Sequence, residues 1–380
     1  MSQGTVRSAA SMLLLLTAGP PALSCDLCGA SKRTITLPQS AQAAKLVLYG
    51  KLANARVNPD NDGGGATDLH IEKVLKSDPW LGDKKIVELQ RYVRIDPADD
   101  YFLVFCDIFK GKLDAYRGEP VGLEVVDYLQ KAMTLKDGDR VKTLLFFFNY
   151  LDHRNTKISS DAFAQFARSS DVEIAQVAGK LPPVKLRRWL QDSKTPPERL
   201  SLYAFLLSAC GTEKDADLLR SLIDKSSERT SDVLAGSLSG YIRLRPRAGW
   251  DLAATILQDA HRSFVERYAV VGMLRFYHAW KPDETRDDVL RCLGLLVRQG
   301  EMADIAIEDL RLWEAWSACP EVLAQFDRKT HAAPIVRRAI VRYALCCPEP
   351  SAKAFIADLR RKEPSLVSDV EESLSFERQR

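Results

Sequence analysis

Residues 334–345 read P-I-V-R-R-A-I-V-R-Y-A-L, and the fold follows from this stretch. Proline in the first position presets φ for a helix and gives up only an N–H that would be orphaned there anyway. Arg337 stands in the first turn, and apolar residues follow it at helical spacing. Two relatives lie upstream, P-E-R-L-S-L-Y-A-F-L-L at 197–207 and F-V-E-R-Y-A-V-V-G-M-L at 264–274. Superposed on Arg199, Arg267 and Arg337, they place Leu202, Val270 and Ile340 at +3, and Tyr203, Val271 and Val341 at +4. Position +7 holds Leu206, Leu274 and Ala344. The three arginines are 68 and 70 positions apart. Each interval therefore holds two units of about 35 residues, the length range of stacked helical repeats.

Around this repeat the chain changes character. From residue 123 onward, short amphipathic helices alternate with short polar loops, and many open on Pro, Ser, Thr or Asp. The helices predicted there include 139–153, 197–210, 262–280, 302–316, 320–326 and 334–346. One helix pair cannot bury its own apolar stripe, so neighbours must stack into a curved solenoid or close into a bundle. Between residues 45 and 117 the period is two instead, with β-branched and aromatic enrichment. Strands are predicted at 45–57, 68–75, 85–93, 101–105 and 112–117, enough for a small five-stranded barrel. Gly118-Glu119-Pro120 marks the switch of period.

The N-terminus has the order of an export signal. Arg7 precedes the apolar run 12–18, Pro20-Pro21 breaks it, and Ala22-Leu23-Ser24 fits a small-x-small cleavage site. The expected division is a signal peptide at 1–24, a cysteine-containing segment at 25–44, a β-barrel at 45–119 and a helical repeat region at 120–380. The expected location is the periplasm, the cell exterior or the envelope. Cleavage after Ser24 would make Cys25 the first residue, which resembles a bacterial lipoprotein signal and implies a lipid anchor there. No later segment reads as membrane-spanning.

Cys25 and Cys28 form a C-x-x-C pair with several readings. Gly29, standing where a c-type haem site needs His, excludes that site. A zinc site needs two more ligands, and neither a second C-x-x-C nor a paired His follows. A redox pair belongs between a strand and a helix N-terminus, whereas this one precedes the first strand. A disulfide remains, either within the pair or from Cys28 to Cys106, in an oxidising compartment.

Composition narrows the function. The chain has 380 residues, 46% apolar and 28% charged, with a formal charge of +3. That small charge points to neither nucleic acid nor an anionic membrane. The five histidines are not spaced for metal, and His278 lies among aromatics as a packing residue. Nucleophile-elbow, phosphate-loop, dinucleotide, zincin and complete calcium-loop motifs are missing. Asp60-Asn61-Asp62-Gly63 reads as a turn, and the vicinal Cys346-Cys347 as buried small groups. No catalytic residue, metal or cofactor is expected.

Two family resemblances join these readings. C-D-L-C-G, then Leu37-Pro38-Gln39, A-K-L-V-L-Y-G-K-L and Y-F-L-V-F-C resemble the netrin-like/TIMP barrel, an OB-type fold, over about 95 residues. That resemblance implies inhibition of a metalloproteinase through the mature N-terminal Cys25, although TIMPs carry C-x-C and not C-x-x-C. The Arg-led helices resemble HEAT-type repeats, which implies that Arg199, Arg267 and Arg337 fix register by pairing with an acid of an adjacent turn or repeat. The whole chain resembles uncharacterised exported bacterial proteins of this composition. The fold class expected is α+β multidomain, an OB-like barrel followed by a HEAT-like solenoid. The function expected is an exported, non-enzymatic protein that binds a protein partner through its helices. Thiol, disulfide or metal-linked activity at Cys25 and Cys28 is the alternative, and metalloproteinase inhibition the third reading.

Overall fold

The computed structural model describes residues 35–378 except 59–63, 97–99, 136–137, 226–230 and 260. Helix α1 (Leu37–Ala43) precedes five strands, β1 (Leu46–Val57), β2 (Gly65–Lys76), β3 (Ile86–Leu89), β4 (Tyr101–Phe109) and β5 (Lys112–Pro120). All pairings are antiparallel, in the order β3-β2-β1-β4-β5. β1 is central and covered on both faces, so its first five residues are all buried. Leu46 and Leu48 join Leu69, Val87 and Val104 on one face, while Val47 and Tyr49 face α1 and the helices beyond. The two-residue period of the pleat makes this sorting automatic.

The sheet is open and not closed into a barrel. β3 and β5 approach each other, but among the described residues no backbone ladder joins them. The expected third strand, 85–93, stops at Leu89, where the Arg91 N–H turns back onto the Leu89 carbonyl at 2.7 Å. Beyond that point the Thr67 hydroxyl replaces the ladder, donating to the Arg91 carbonyl at 2.9 Å and accepting from the Val93 N–H at 3.0 Å. A four-residue strand is too short to close the ring.

Sixteen further helices follow among the described residues: α2 (Leu123–Met133), α3 (Arg140–Phe148), α4 (Thr156–Ala167), α5 (Asp171–Ala178), α6 (Pro183–Gln191), α7 (Pro197–Cys210), α8 (Lys214–Asp224) and α9 (Ser231–Leu244). The chain continues with α10 (Pro246–Gln258), α11 (Phe264–Trp280), α12 (Pro282–Val297), α13 (Ala303–Leu312), α14 (Cys319–Leu323), α15 (Pro334–Cys346), α16 (Pro350–Lys362) and α17 (Pro364–Arg378). Proline opens α6, α7, α10, α12, α15 and α16, while Ser170 with Glu173 and Ser263 with Glu266 close capping boxes on α5 and α11. The expected helix 302–316 is shorter, because Met302 and Glu314 sit at φ 62° and 53°, in the left-handed region. Helix 139–153 likewise stops at Phe148.

Several helices pack on the helix two places further on, α7 on α9, α10 on α12 and α13 on α15 among them, while α6 and α8 pack mainly on the helix that follows each. α5, α7, α9 and α11 form one row and α13, α15 and α17 another, joined to the first through α12, while α10, α12, α14 and α16 form a third. The α7–α9 contact is close enough that a Cβ on Gly236 would lie 1.9 Å from the Ser201 carbonyl oxygen. The row is not strictly nearest-neighbour. α5 also touches α11, and Phe205 of α7 meets Phe276 and Trp280 of α11 at centroid distances of 4.7 and 5.4 Å. One apolar core runs from Val47 and Phe105 of the sheet through all these helices to Leu374.

Candidate functional site

The predicted site residues fall into two groups. Cys25 and Cys28 lie outside the described residues, as do Asp60, Asn61 and Asp62 of the predicted turn. Cys106 lies on β4, fully buried against Leu46 and Leu48, as a free thiol. Burial pushes that thiol up to about 12, so it holds its proton at neutral pH. Among the described residues no group of three or more His, Cys, Asp or Glu is placed to hold a metal ion. No helix described is long and apolar enough to cross a membrane.

The three repeated arginines begin α7, α11 and α15 and point inward, with every +3, +4 and +7 side chain buried beside them. Arg199 donates to neutral acceptors: the Leu151 carbonyl at 2.7 Å and the Ser159 and Ser160 hydroxyls at 3.3 and 3.4 Å. Arg267 reaches forward to Gln299 at 3.3 Å and to the Glu301 carboxylate. Arg337 reaches Glu363 at 2.6 Å and lies 4.2 Å over the Phe326 ring. Glu266, the acid beside Arg267, serves Ser263 and Arg262 instead.

Further Arg–acid pairs join helices two or more places apart, through arginines other than the three repeated ones. Arg187 of α6 grips the buried Asp215 of α8 through two hydrogen bonds of 2.6 and 2.9 Å, which hold that carboxyl below its ordinary range. Arg275 of α11 holds Asp309 of α13 at 2.9 Å. At the far end, Arg311 of α13 donates to Glu377 of α17 at 2.8 Å, and Arg342 of α15 donates to the same carboxylate.

On the solvent side, the repeated helices share an apolar residue at one position, which on α15 stands among the charged Asp304, Glu308, Arg338 and Asp369. One helical residue turns the side chain by about 100°, so the position two before each arginine points away from the core. That position holds Pro197, Val265 and Ile335, all exposed, Val265 by 40% and Ile335 by 63%. Phe264 and Tyr268 extend the patch on α11, their rings stacked at 5.8 Å. The superposed repeats already carry this signal, since −2 is apolar in each copy yet lies off the buried stripe.

A cleft of about 690 Å³ opens between the end of α9, the start of α10, the end of α11 and the start of α12. Its floor is aromatic: Tyr277 lies 5.2 Å from Trp250 and 5.6 Å from Trp280, centroid to centroid. The Tyr277 hydroxyl donates to the Ser239 carbonyl at 2.8 Å, and burial pushes its pKa upward. On the rim, Arg291 holds Asp288 at 3.0 Å and Asp251 at 3.9 Å, and Lys281 pairs with Glu284. Arg243 lies 5.0 Å over the Trp280 ring, and Arg247 is exposed beside it. Among the described residues neither arginine has an ion-pair partner. Away from the cleft, His278 stacks on Trp313 at 3.8 Å, a packing contact at the end of α11.

No protein-family model matches the chain, and no curated protein does. Among solved structures, human deoxyhypusine hydroxylase in complex with glycerol is similar at 14% identity, covering 63% of this chain and 85% of that one, with a TM-score of 0.27.

Proposed function

We propose that this chain is an exported, non-enzymatic scaffold that binds another protein through its helices. The observation carrying this reading is the recurrence of solvent-exposed apolar residues, Pro197, Val265 and Ile335, at one position of three related helices. Exposed apolar side chains scattered singly need no explanation, but their recurrence at one position of three related helices supports an interaction face. We read the helical part as HEAT-like, supported by the rows α5-α7-α9-α11, α10-α12-α14-α16 and α13-α15-α17, in which helices two places apart pack together. We read the sheet as OB-type, supported by the strand order and by the approach of its edge strands β3 and β5. The arrangement of Arg7, the apolar run and Ala22-Leu23-Ser24 supports export, with Cys25 as a lipid anchor or disulfide partner.

The test is affinity purification from the native envelope fraction with the wild-type chain and a Val265→Asp/Ile335→Asp variant. A partner retained by the wild type and lost by the folded variant is the expected result. A wild-type chain that retains nothing, or a variant that retains the same partner equally, refutes the reading.

A further inference from the structure

The cleft between α9 and α12 has a chemistry that the apolar row lacks. Four cations line it, Arg243, Arg247, Lys281 and Arg291, against three acids, Asp251, Glu284 and Asp288. All three acids are committed, Glu284 to Lys281 and the two aspartates to Arg291. The surplus positive charge is therefore localised on Arg243 and Arg247. A guanidinium presents planar paired donors suited to a carboxylate, and it is always charged. Arg243 is also pre-positioned: its cation lies over the half-buried Trp280 ring, which limits the rotamer entropy lost on binding. Trp280 is in turn braced from behind by Phe205 and Phe276.

We propose that this cleft binds an acidic segment of a protein partner, with an Asp or Glu carboxylate held by Arg243 and Arg247 and an apolar neighbour laid against Trp280. The charge complementarity selects the carboxylate. Trp250 and Tyr277 are already buried, so the half-buried Trp280, beside Arg243 and Lys281, is the part of the floor that an apolar side chain of the segment would cover and a small anion would not. This inference rests on the protein-binding reading and adds a second, electrostatic point of attachment to the exposed apolar row.

The experiment is fluorescence anisotropy of the full chain with three labelled probes. They are a hexapeptide alternating glutamate and leucine, its lysine–leucine counterpart, and a glutamate–serine hexapeptide. Inorganic phosphate serves as competitor. The glutamate–leucine peptide is expected to bind with an affinity that falls as salt rises, and the lysine–leucine peptide not to bind. An Arg243→Glu/Arg247→Glu variant, checked by circular dichroism, is expected to lose roughly tenfold or more, about 1.4 kcal/mol. Arg243→Gln/Arg247→Gln supplies a milder variant if charge reversal unfolds the chain. The glutamate–serine peptide is expected to bind more weakly than the glutamate–leucine one. Absence of binding, binding unchanged in the folded variants, equal affinity for the serine peptide, or displacement by millimolar phosphate would each overturn the proposal. Envelope pull-downs separate the two claims: a partner retained equally by wild type and the arginine variants sinks the cleft and leaves the scaffold reading standing.

Discussion

The carboxylate of Asp161 on α4 accepts the backbone N–H of Leu37 at 2.6 Å and the hydroxyl of Tyr128 at 2.7 Å. The first turn of α1, ahead of the sheet, is thereby fastened to the helical part through a buried acid. Nothing in the local sequence announces this bond, since 124 residues separate its partners.

Replacing Asp161 by Ala is expected to cost about 2–4 kcal/mol, because a buried N–H and a buried hydroxyl lose their acceptor. Asp161→Asn keeps one acceptor and costs less. Urea unfolding monitored by circular dichroism measures both.

The same acid gives a pH signature. Burial raises the Asp161 carboxyl above its ordinary 3.8. A folded-state pKa above the unfolded one means that the native state binds the proton more tightly, so stability declines as pH rises through that interval. The stability of Asp161→Asn relative to wild type is expected to improve as pH climbs from about 4, seen in denaturation midpoints taken across acid pH.

Asp215 behaves in the opposite way. The paired hydrogen bonds from Arg187 lower its pKa, so its contribution is present above the ordinary carboxylate range and is lost as pH falls through the folded value. Asp215→Asn is expected to lose about 2 kcal/mol at neutral pH and to lose less further stability on acidification than wild type does.

The repeated arginines and the exposed row are separable. Arg267→Ala is expected to destabilise by about 2–3 kcal/mol, because Gln299 and Glu301 lose a buried donor. Arg337→Ala, in a wetter setting, is expected to cost about 1–2 kcal/mol. Val265→Ser and Ile335→Ser are expected to change stability by about 0.5 kcal/mol or less while weakening partner retention. Chemical denaturation and pull-down on one set of variants decide this.

Much of the architecture was legible because its causes are local. Prolines at 197 and 334 open the helices expected there, for reasons contained in their own rings, whereas those at 183, 246, 282 and 350 open helices whose expected starts lay one to five residues later. The period of two and the β-branched and aromatic enrichment across residues 45–117 placed β1 to within one residue. Reading failed where a distant group decided the outcome. The third strand stops at Leu89 because the Thr67 hydroxyl replaces its ladder, and helix α13 ends early at left-handed Glu314. The cleft was invisible, since Arg243, Trp250 and Trp280 belong to three helices and each has an ordinary local setting. Arg199 was expected to pair with an acid and instead meets a carbonyl and two hydroxyls, a choice set by the fold of residues 151–160.

Gly236 tests the close approach of α7 and α9. Gly236→Ala is expected to cost about 3 kcal/mol or more, because the added methyl meets the Ser201 backbone and not a flexible side chain. Thermal unfolding of the purified variant checks it.

The contact of Phe205 with Trp280 has a consequence for how the chain comes apart. In a strictly linear array the ends melt first and the middle survives, since each unit leans only on its neighbours. Here the ring of Trp280 is covered by a side chain some seventy-five residues earlier, so α7 cannot fray without stripping α11. The middle of the chain is therefore expected to unfold together, the amides of α7 and α11 exchanging hydrogen at one common rate.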